Sequence, residues 1–256
     1  MEYDYTQTDI VKVLCSLGIR TGNTVFVHSN LGFFGRCRHA GSAEALCKIF
    51  YDAFFEVIGP QGTLVVPTFT YSYCHGELYD PNCTVSHMGI FAEWLRKQPE
   101  AVRSMDPNFS VAAIGKRAKV LTSCFHEHSF GAGCFWEELE KIDGVICCMN
   151  FDAGTTFLHY LEKKYDVPYR FDKVFRGKTL IDGKYVDGVA YHFCVSEDKD
   201  EDRCDTERFH RICIDQGIAK TSVLGKGTVL VEGTKTLDSF VGKLLKQNPR
   251  ALCIEK

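Results

Sequence analysis

No apolar run in this 256-residue chain approaches the roughly 18 residues that a membrane-spanning helix needs. The longest stretches, such as Ala53-Phe54-Phe55 and Val145-Ile146-Cys147-Cys148-Met149, suit a buried core instead, so no membrane is expected as partner. An excess of positive charge is also missing. Thirty Lys and Arg against 33 Asp and Glu leave a net charge of -3, with no basic field for a nucleic-acid backbone or an anionic membrane surface. Proline is scarce at 7, and with 45% apolar and 25% charged residues the composition excludes disordered, collagen-like and coiled-coil classes. The opening Met1-Glu2-Tyr3-Asp4-Tyr5 lacks the positive start and apolar core of a secretory signal, so a cytoplasmic protein is expected.

Thirteen cysteines are present, an odd number scattered from Cys15 to Cys253 with no C-x-x-C pair, which argues against a disulfide framework or a zinc site. Buried, reduced thiols packing as small hydrophobes fit better. His126-Glu127-His128 beside Cys124 offers one element of a metal site without a companion cluster, so no metal is expected. Other familiar signatures fail in detail. Gly177-Lys178-Thr179 lacks the leading glycine of a phosphate loop, where Asp172 stands instead. Gly131-Ala132-Gly133 places Trp136 at the third glycine of a dinucleotide fingerprint, and no G-x-S-x-G nucleophile turn occurs.

The first half alternates helical and extended patterns. Thr8 can cap a helix ending at Gly18, Thr24 to His28 reads as a strand, and Ser42 can cap a helix stopped by Gly59-Pro60. Strands at Thr63–Val66, Val111–Ile114 and Val145–Met149 alternate with helices at Ile90–Leu95, Trp136–Leu139 and Thr156–Lys164, the rhythm of parallel βαβ units. From Phe171 the texture changes, and Asp182-Gly183 between two extended runs is a strong hairpin signal. Between Glu197 and Arg208, seven acidic and three basic residues read as a solvated loop leading into a helix. The expected architecture is one domain over 1–256: an α/β core with a mostly parallel sheet over 1–170, and a β-rich antiparallel annex over 171–256.

Two segments carry chemistry. His159 and Glu162 lie three residues apart on a predicted helix, so a carboxylate can orient an imidazole that titrates near neutrality, as general-base catalysis requires. His28-Ser29-Asn30-Leu31-Gly32-Phe33-Phe34-Gly35 follows a strand, where ligands of α/β sheets bind, and its glycines let backbone N–H groups approach a ligand.

Around these lie Pro67-Thr68-Phe69-Thr70-Tyr71-Ser72, Ser86-His87-Met88-Gly89 through Glu93, Arg103-Ser104-Met105-Asp106-Pro107-Asn108-Phe109-Ser110 through Gly115, and Thr155 through Glu162. In that order, over nearly the whole length, the chain resembles the aminoglycoside 3-N-acetyltransferase family. The resemblance implies that family's α/β/α fold and acetyl-coenzyme A as cosubstrate. The cofactor would lie along Ser29, Asn30, Leu31, Gly32, Phe34 and Gly35 and along Ser110, Val111 and Ala112. It raises His159 and Glu162 to the expected catalytic pair, with direct acetyl transfer and no covalent enzyme intermediate, Cys134 being a packing thiol. Departures are Asp106, where the family carries His before proline, Cys134-Phe135 in place of Ser-Pro, and Asp152 one residue out of step in its turn.

Acceptor contacts are expected from Thr70, Tyr71, Tyr79, Asp106, Asp152 and Arg170. Near-neutral net charge, with Arg170, Arg176, Tyr71 and Tyr79 suited to a diphosphate and a base, favours a nucleotide-linked amino sugar of surface-polysaccharide synthesis over a polycation. The alternatives are an aminoglycoside 3-N-acetyltransferase conferring antibiotic resistance, and a non-catalytic coenzyme A or nucleotide-sugar binding protein. The sequence leaves the assembly open, a homodimer included.

Overall fold

The structure, a computed structural model, describes residues 2–124 and 127–254. Helix α1 (Gln7–Ser16) begins at Thr6, not Thr8: Thr6 and Asp9 form a reciprocal capping box, which satisfies two N-terminal groups at once. Strand β1 (Thr24–Ser29) leads to a 3-10 turn at Leu31–Phe34, and α2 (Ala43–Ile58) is capped by Ser42 and stopped by Gly59 as its sequence indicates. There follow β2 (Thr63–Pro67), α3 (Ile90–Arg96), β3 (Val102–Arg103), β4 (Val111–Gly115), α4 (Ala118–Ser123), α5 (Phe135–Lys141), β5 (Val145–Met149) and α6 (Phe157–Lys164). The last third holds β6 (Arg170–Ile181), β7 (Lys184–Val195), α7 (Thr206–Asp215), β8 (Ala219–Leu224), β9 (Gly227–Gly233) and α8 (Thr234–Gln247).

Seven strands form one sheet in the order β3-β4-β2-β1-β5-β9-β8. β2, β1 and β5 are mutually parallel, while β4 and β9 run against their neighbours, so five of the seven strands point one way. Period-two alternation explains the layers. Val25, Val27, Leu64, Val66, Cys147 and Met149 face α1, α2 and α3, whereas Phe26, Val65, Ile146 and Cys148 face the opposite layer containing Trp136, Phe157, Leu161 and Leu237. That is the expected α/β/α arrangement.

The C-terminal third is less β-rich than expected: α7 and α8 contribute 10 and 14 residues, and β8 and β9 extend the main sheet. Among the described residues only β6 and β7 stand apart, as a two-stranded sheet closed by Asp182 and Gly183 at φ 49° and 75°, the left-handed pair of a type I′ turn. Gly177, within β6, therefore belongs to a ladder and not to a phosphate loop. An isolated hairpin is marginal in water, and Tyr73 anchors this one. Its ring lies across the paired glycines Gly177 and Gly188, and its hydroxyl shares a 2.8 Å hydrogen bond with Thr179. A side chain at either glycine would occupy the ring's place. Gly188→Val is expected to lower stability by roughly 2 kcal/mol through overpacking, read as an earlier urea midpoint. An unchanged midpoint would show that Tyr73 does not hold the hairpin.

Candidate functional site

The C-terminal ends of β1, β2 and β5 gather at one edge of the sheet, joined there by the start of antiparallel β4. This is where open α/β sheets bind ligands. It brings together the loops after Ser29, Pro67 and Met149 and the N-terminal turn of α6.

In α6, Phe157, Leu158, Tyr160 and Leu161 are buried, which sets His159 at the rim and drives Glu162 wholly inside. His159 Nδ1 lies 2.8 Å from Glu162 Oε2. A carboxylate only accepts, so Nδ1 carries the hydrogen, and whenever the ring is neutral its acceptor is Nε2. After α6 the chain reverses at Asp166 (φ 50°), and Val167-Pro168-Tyr169-Arg170 returns along the helix. Tyr169 donates its hydroxyl to Glu162 Oε1 at 2.9 Å. Arg170 Nε stands 2.8 Å from Oε2, an ion pair off the hydrogen-bonding axis, with Arg170 almost fully buried. Burial pushes the Glu162 carboxyl up, but the hydrogen bond and charge of His159 and the charge of Arg170 outweigh it and hold the group below its ordinary value. The buried carboxylate is thus ionised and fixed from three sides.

An aromatic wall runs from this pair. Phe130 meets the His159 ring edge-on at 5.7 Å, Phe109 lies 4.9 Å from Phe130, and His192 lies 4.7 Å from Phe109. Tyr71, held at φ 53°, stacks on His192 at 6.4 Å. Burial, followed by the positive charges of His159, Arg170 and Lys173, pushes His192 down to about 4. His28, between Phe26 and Phe151, is likewise pushed to about 4 by burial, and its Nε2 has no partner. Both rings are neutral when folded and titrate near 6.5 when unfolded, so the unfolded state binds more protons between pH 4 and 6.5. Stability should fall as pH drops through that window, with the melting temperature on the order of 5 °C lower at pH 5 than at pH 7. His192→Phe is expected to halve the decline. An equal decline in that variant would refute the assignment for His192.

Several expected contacts are corrected by burial. Leu31 and Phe34 point into the core, so in the loop after β1 only their backbone can meet a cofactor. Ser29, Asn30 and Gly32 stay near the surface, and Gly35 closes the loop at φ 85° against Asp4. Ser110, Val111 and Ala112 are fully buried in or beside β4, and the Ser110 hydroxyl is engaged by Thr68. Thr70 is buried and donates to Pro107 O at 2.7 Å. Tyr79 is enclosed, donates to Ser104 O at 2.7 Å, and is pushed by burial to about 12; it offers nothing to an acceptor. Cys134 is buried and its thiol is pushed to about 12, which suits packing and not acylation.

Asp106 accepts from the N–H groups of Asn108 and Phe109, both at 2.8 Å, while burial pushes its carboxyl upward. Asp152 is exposed, with Oδ1 3.5 Å from His210 Nδ1. His126 lies outside the described residues. His128 stacks on Tyr191 at 4.1 Å beside Asp172, and among the described residues no group of three His, Cys, Asp or Glu could hold a metal.

Sequence reading missed Tyr169, His192, Phe109 and Phe130, which lie far apart in the chain and meet only through the fold. It also missed a cleft of about 840 Å3 lined by Glu44, Ser86, His87, Gly89, Trp94 and Lys97. A Cβ on Gly89 would stand in ordinary contact, 3.6 Å from the Ser29 carbonyl, which places the cleft beside the end of β1.

A sequence profile described as aminoglycoside 3-N-acetyltransferase matches residues 26–246. The chain belongs to this family. It is accordingly an acyltransferase. Aminoglycoside N(3)-acetyltransferase VII of Streptomyces paromomycinus is 27% identical over 217 residues, covering 75% of this chain and 72% of its own. A prophage-derived aminoglycoside N(3')-acetyltransferase-like protein of Bacillus subtilis (strain 168) is 29% identical over 212 residues, 71% of this chain and 72% of its own. The fold is that of crystalline AAC(3)-Xa, with a TM-score of 0.82 at 21% identity over 94% of this chain and 93% of that one. AAC-IIIb, solved as a binary complex with CoASH, gives 0.80 at 19% identity over 94% and 97%.

These findings overturn the expectation of a nucleotide-linked amino sugar, because the family and these relatives are named for aminoglycosides. The expectation rested on net charge, which sums the whole surface and says nothing about one cleft. Two of its four supposed nucleotide contacts are also spoken for, Tyr79 by burial and Arg170 by Glu162. Among the described residues no helix is long and apolar enough to cross a membrane.

Proposed function

We propose that this protein transfers the acetyl group of acetyl-coenzyme A to the 3-amino group of an aminoglycoside, acting in the cytoplasm as a resistance enzyme and as one catalytic domain. The observation that carries this reading is His159 held by the buried, ionised Glu162 at the ligand-binding edge of the family's fold. Thirteen unpaired cysteines suit a reducing compartment.

His159 Nε2 takes the proton as the amine nitrogen attacks the thioester carbonyl. Glu162 stabilises the imidazolium that forms, and Tyr169 and Arg170 keep the carboxylate from turning away. The backbone N–H groups of Leu31 and Gly32 would meet the developing oxyanion, and the proton passes on to the departing coenzyme A thiolate. No acyl-enzyme is required. Acetyl-coenzyme A approaches along the cleft beside Gly89, which leads to Ser29. The acceptor sits against Tyr71, Phe109 and neutral His192, with Asp106 and Asp152 at the same edge as carboxylate partners for ammonium groups. Acetylation removes one positive charge and its hydrogen bonds from the drug, which is how it would confer resistance.

The test is coenzyme A release with acetyl-coenzyme A against aminoglycosides and nucleotide-linked amino sugars in parallel, with a blank for the protein's own thiols. Turnover is expected with aminoglycosides alone. Absence of turnover with every aminoglycoside, despite bound acetyl-coenzyme A, would leave a binding protein and refute the proposal.

A further inference from the structure

Cys204, just ahead of α7, and Cys253 in the C-terminal segment are partners in an isolated antiparallel bridge. The flanking hydrogen bonds run from Asp205 N–H to Leu252 O at 2.9 Å and from Ile254 N–H to Arg203 O at 3.0 Å. That arrangement makes 204 and 253 a non-hydrogen-bonded pair, in which Cα atoms stand about 4.5 Å apart and side chains lie closest. Disulfides span Cα separations of about 4.4–6.8 Å, so the backbone is already set for a bond between two thiols that are free here.

Access is narrow, Cys204 being half-buried and Cys253 2% exposed. Cys253 forms part of the wall of a cleft of about 410 Å3 with Lys199, Asp202 and Arg250. Lys199 and Arg250 stand there beside Glu201 and Asp202, with Arg250 paired to Asp202 at 2.6 Å, so the cleft has no net charge and admits a small disulfide by its size. We propose that Cys204 and Cys253 are a redox-modification site, forming a disulfide by exchange with a low-molecular-weight disulfide such as oxidised glutathione. The Cys253 thiolate attacks one glutathione sulfur and expels the first glutathione. The Cys204 thiolate then attacks the Cys253 sulfur and expels the second. Two protein thiols are oxidised, one small disulfide is reduced, and the two protons pass to the released thiols. Burial raises both cysteines, Cys204 to about 12, so the exchange is slow and the reduced form persists in a reducing cytosol. Cys253 also abuts Tyr169, so the bond would fix the segment that supports Glu162.

The experiment incubates the full-length protein with oxidised glutathione at pH 8.5, quenches with acid and alkylates, then maps tryptic peptides. Exposed Cys15 and Cys83 report that the oxidant has acted. A cross-link between Cys204–Arg208 and Ala251–Lys256, two hydrogens lighter than the sum, is expected in the wild type and in neither Cys204→Ser nor Cys253→Ser. Because the bond closes a long loop, the oxidised wild type should melt roughly 5–10 °C higher than the reduced protein, a gain absent from both variants. Glutathione on Cys15 and Cys83 without the cross-linked peptide, or a cross-link with an unchanged melting temperature, would overturn the assignment.

Discussion

His159→Ala is expected to lower kcat/KM for an aminoglycoside by roughly 10²–10⁴-fold while leaving the affinity for acetyl-coenzyme A within about twofold. In barrier terms that is about 3–5 kcal/mol, the range for loss of a positioned general base. The donor should be indifferent because His159 projects from the first turns of α6, whereas the cleft beside Gly89 is built from α2, α3 and the turn before α3. Structure should survive too, since the His159 ring is about one-third exposed and Glu162 retains Tyr169 and Arg170. Turnover within threefold of wild type would remove His159 from the reaction. Loss of donor binding together with turnover would place the ring in the cofactor site.

What the sequence made legible was local. The Ser42 and Gly59 boundaries of α2, the Asp182-Gly183 turn and the i, i+3 spacing of His159 and Glu162 each depend on residues within a few positions, and each appears in the structure where the pattern places it. The family resemblance added the fold class. What could not be read depends on how distant segments approach. Nothing near Tyr169 indicates that a reversal at Asp166 aims its hydroxyl at Glu162. His192 reaches the same wall as His159 only because β7 passes behind Phe109. The misjudged residues failed for the converse reason. Tyr79, Ser110 and Thr70 are polar and look available, but each spends its hydroxyl on a neighbour inside the protein. The acceptor was misjudged in the same way, by letting a global charge stand for a local one.

Glu162→Gln should separate catalysis from stability. The substitution keeps size but removes the charge that faces Arg170, which is 7% exposed, and leaves that guanidinium buried without an ionic partner. Breaking a buried pair from one side costs about 3–5 kcal/mol, so the melting temperature should fall on the order of 10 °C. Turnover should fall roughly 10²–10⁴-fold as well, since the imidazolium loses its counter-charge and Nδ1 its fixed acceptor. The double variant Glu162→Gln/Arg170→Leu removes both charges and is expected to recover much of the stability with none of the turnover. Acid titration gives an independent reading. The Glu162 carboxyl is lower in the folded than in the unfolded state, so its contribution is complete above the unfolded value near 4.5 and is lost as pH falls through the folded one. Below about pH 4.5 wild type should therefore lose stability more steeply than Glu162→Gln. Parallel curves would show that the carboxylate is not ionised by its surroundings. A double variant with restored turnover would show that Glu162 serves the fold alone.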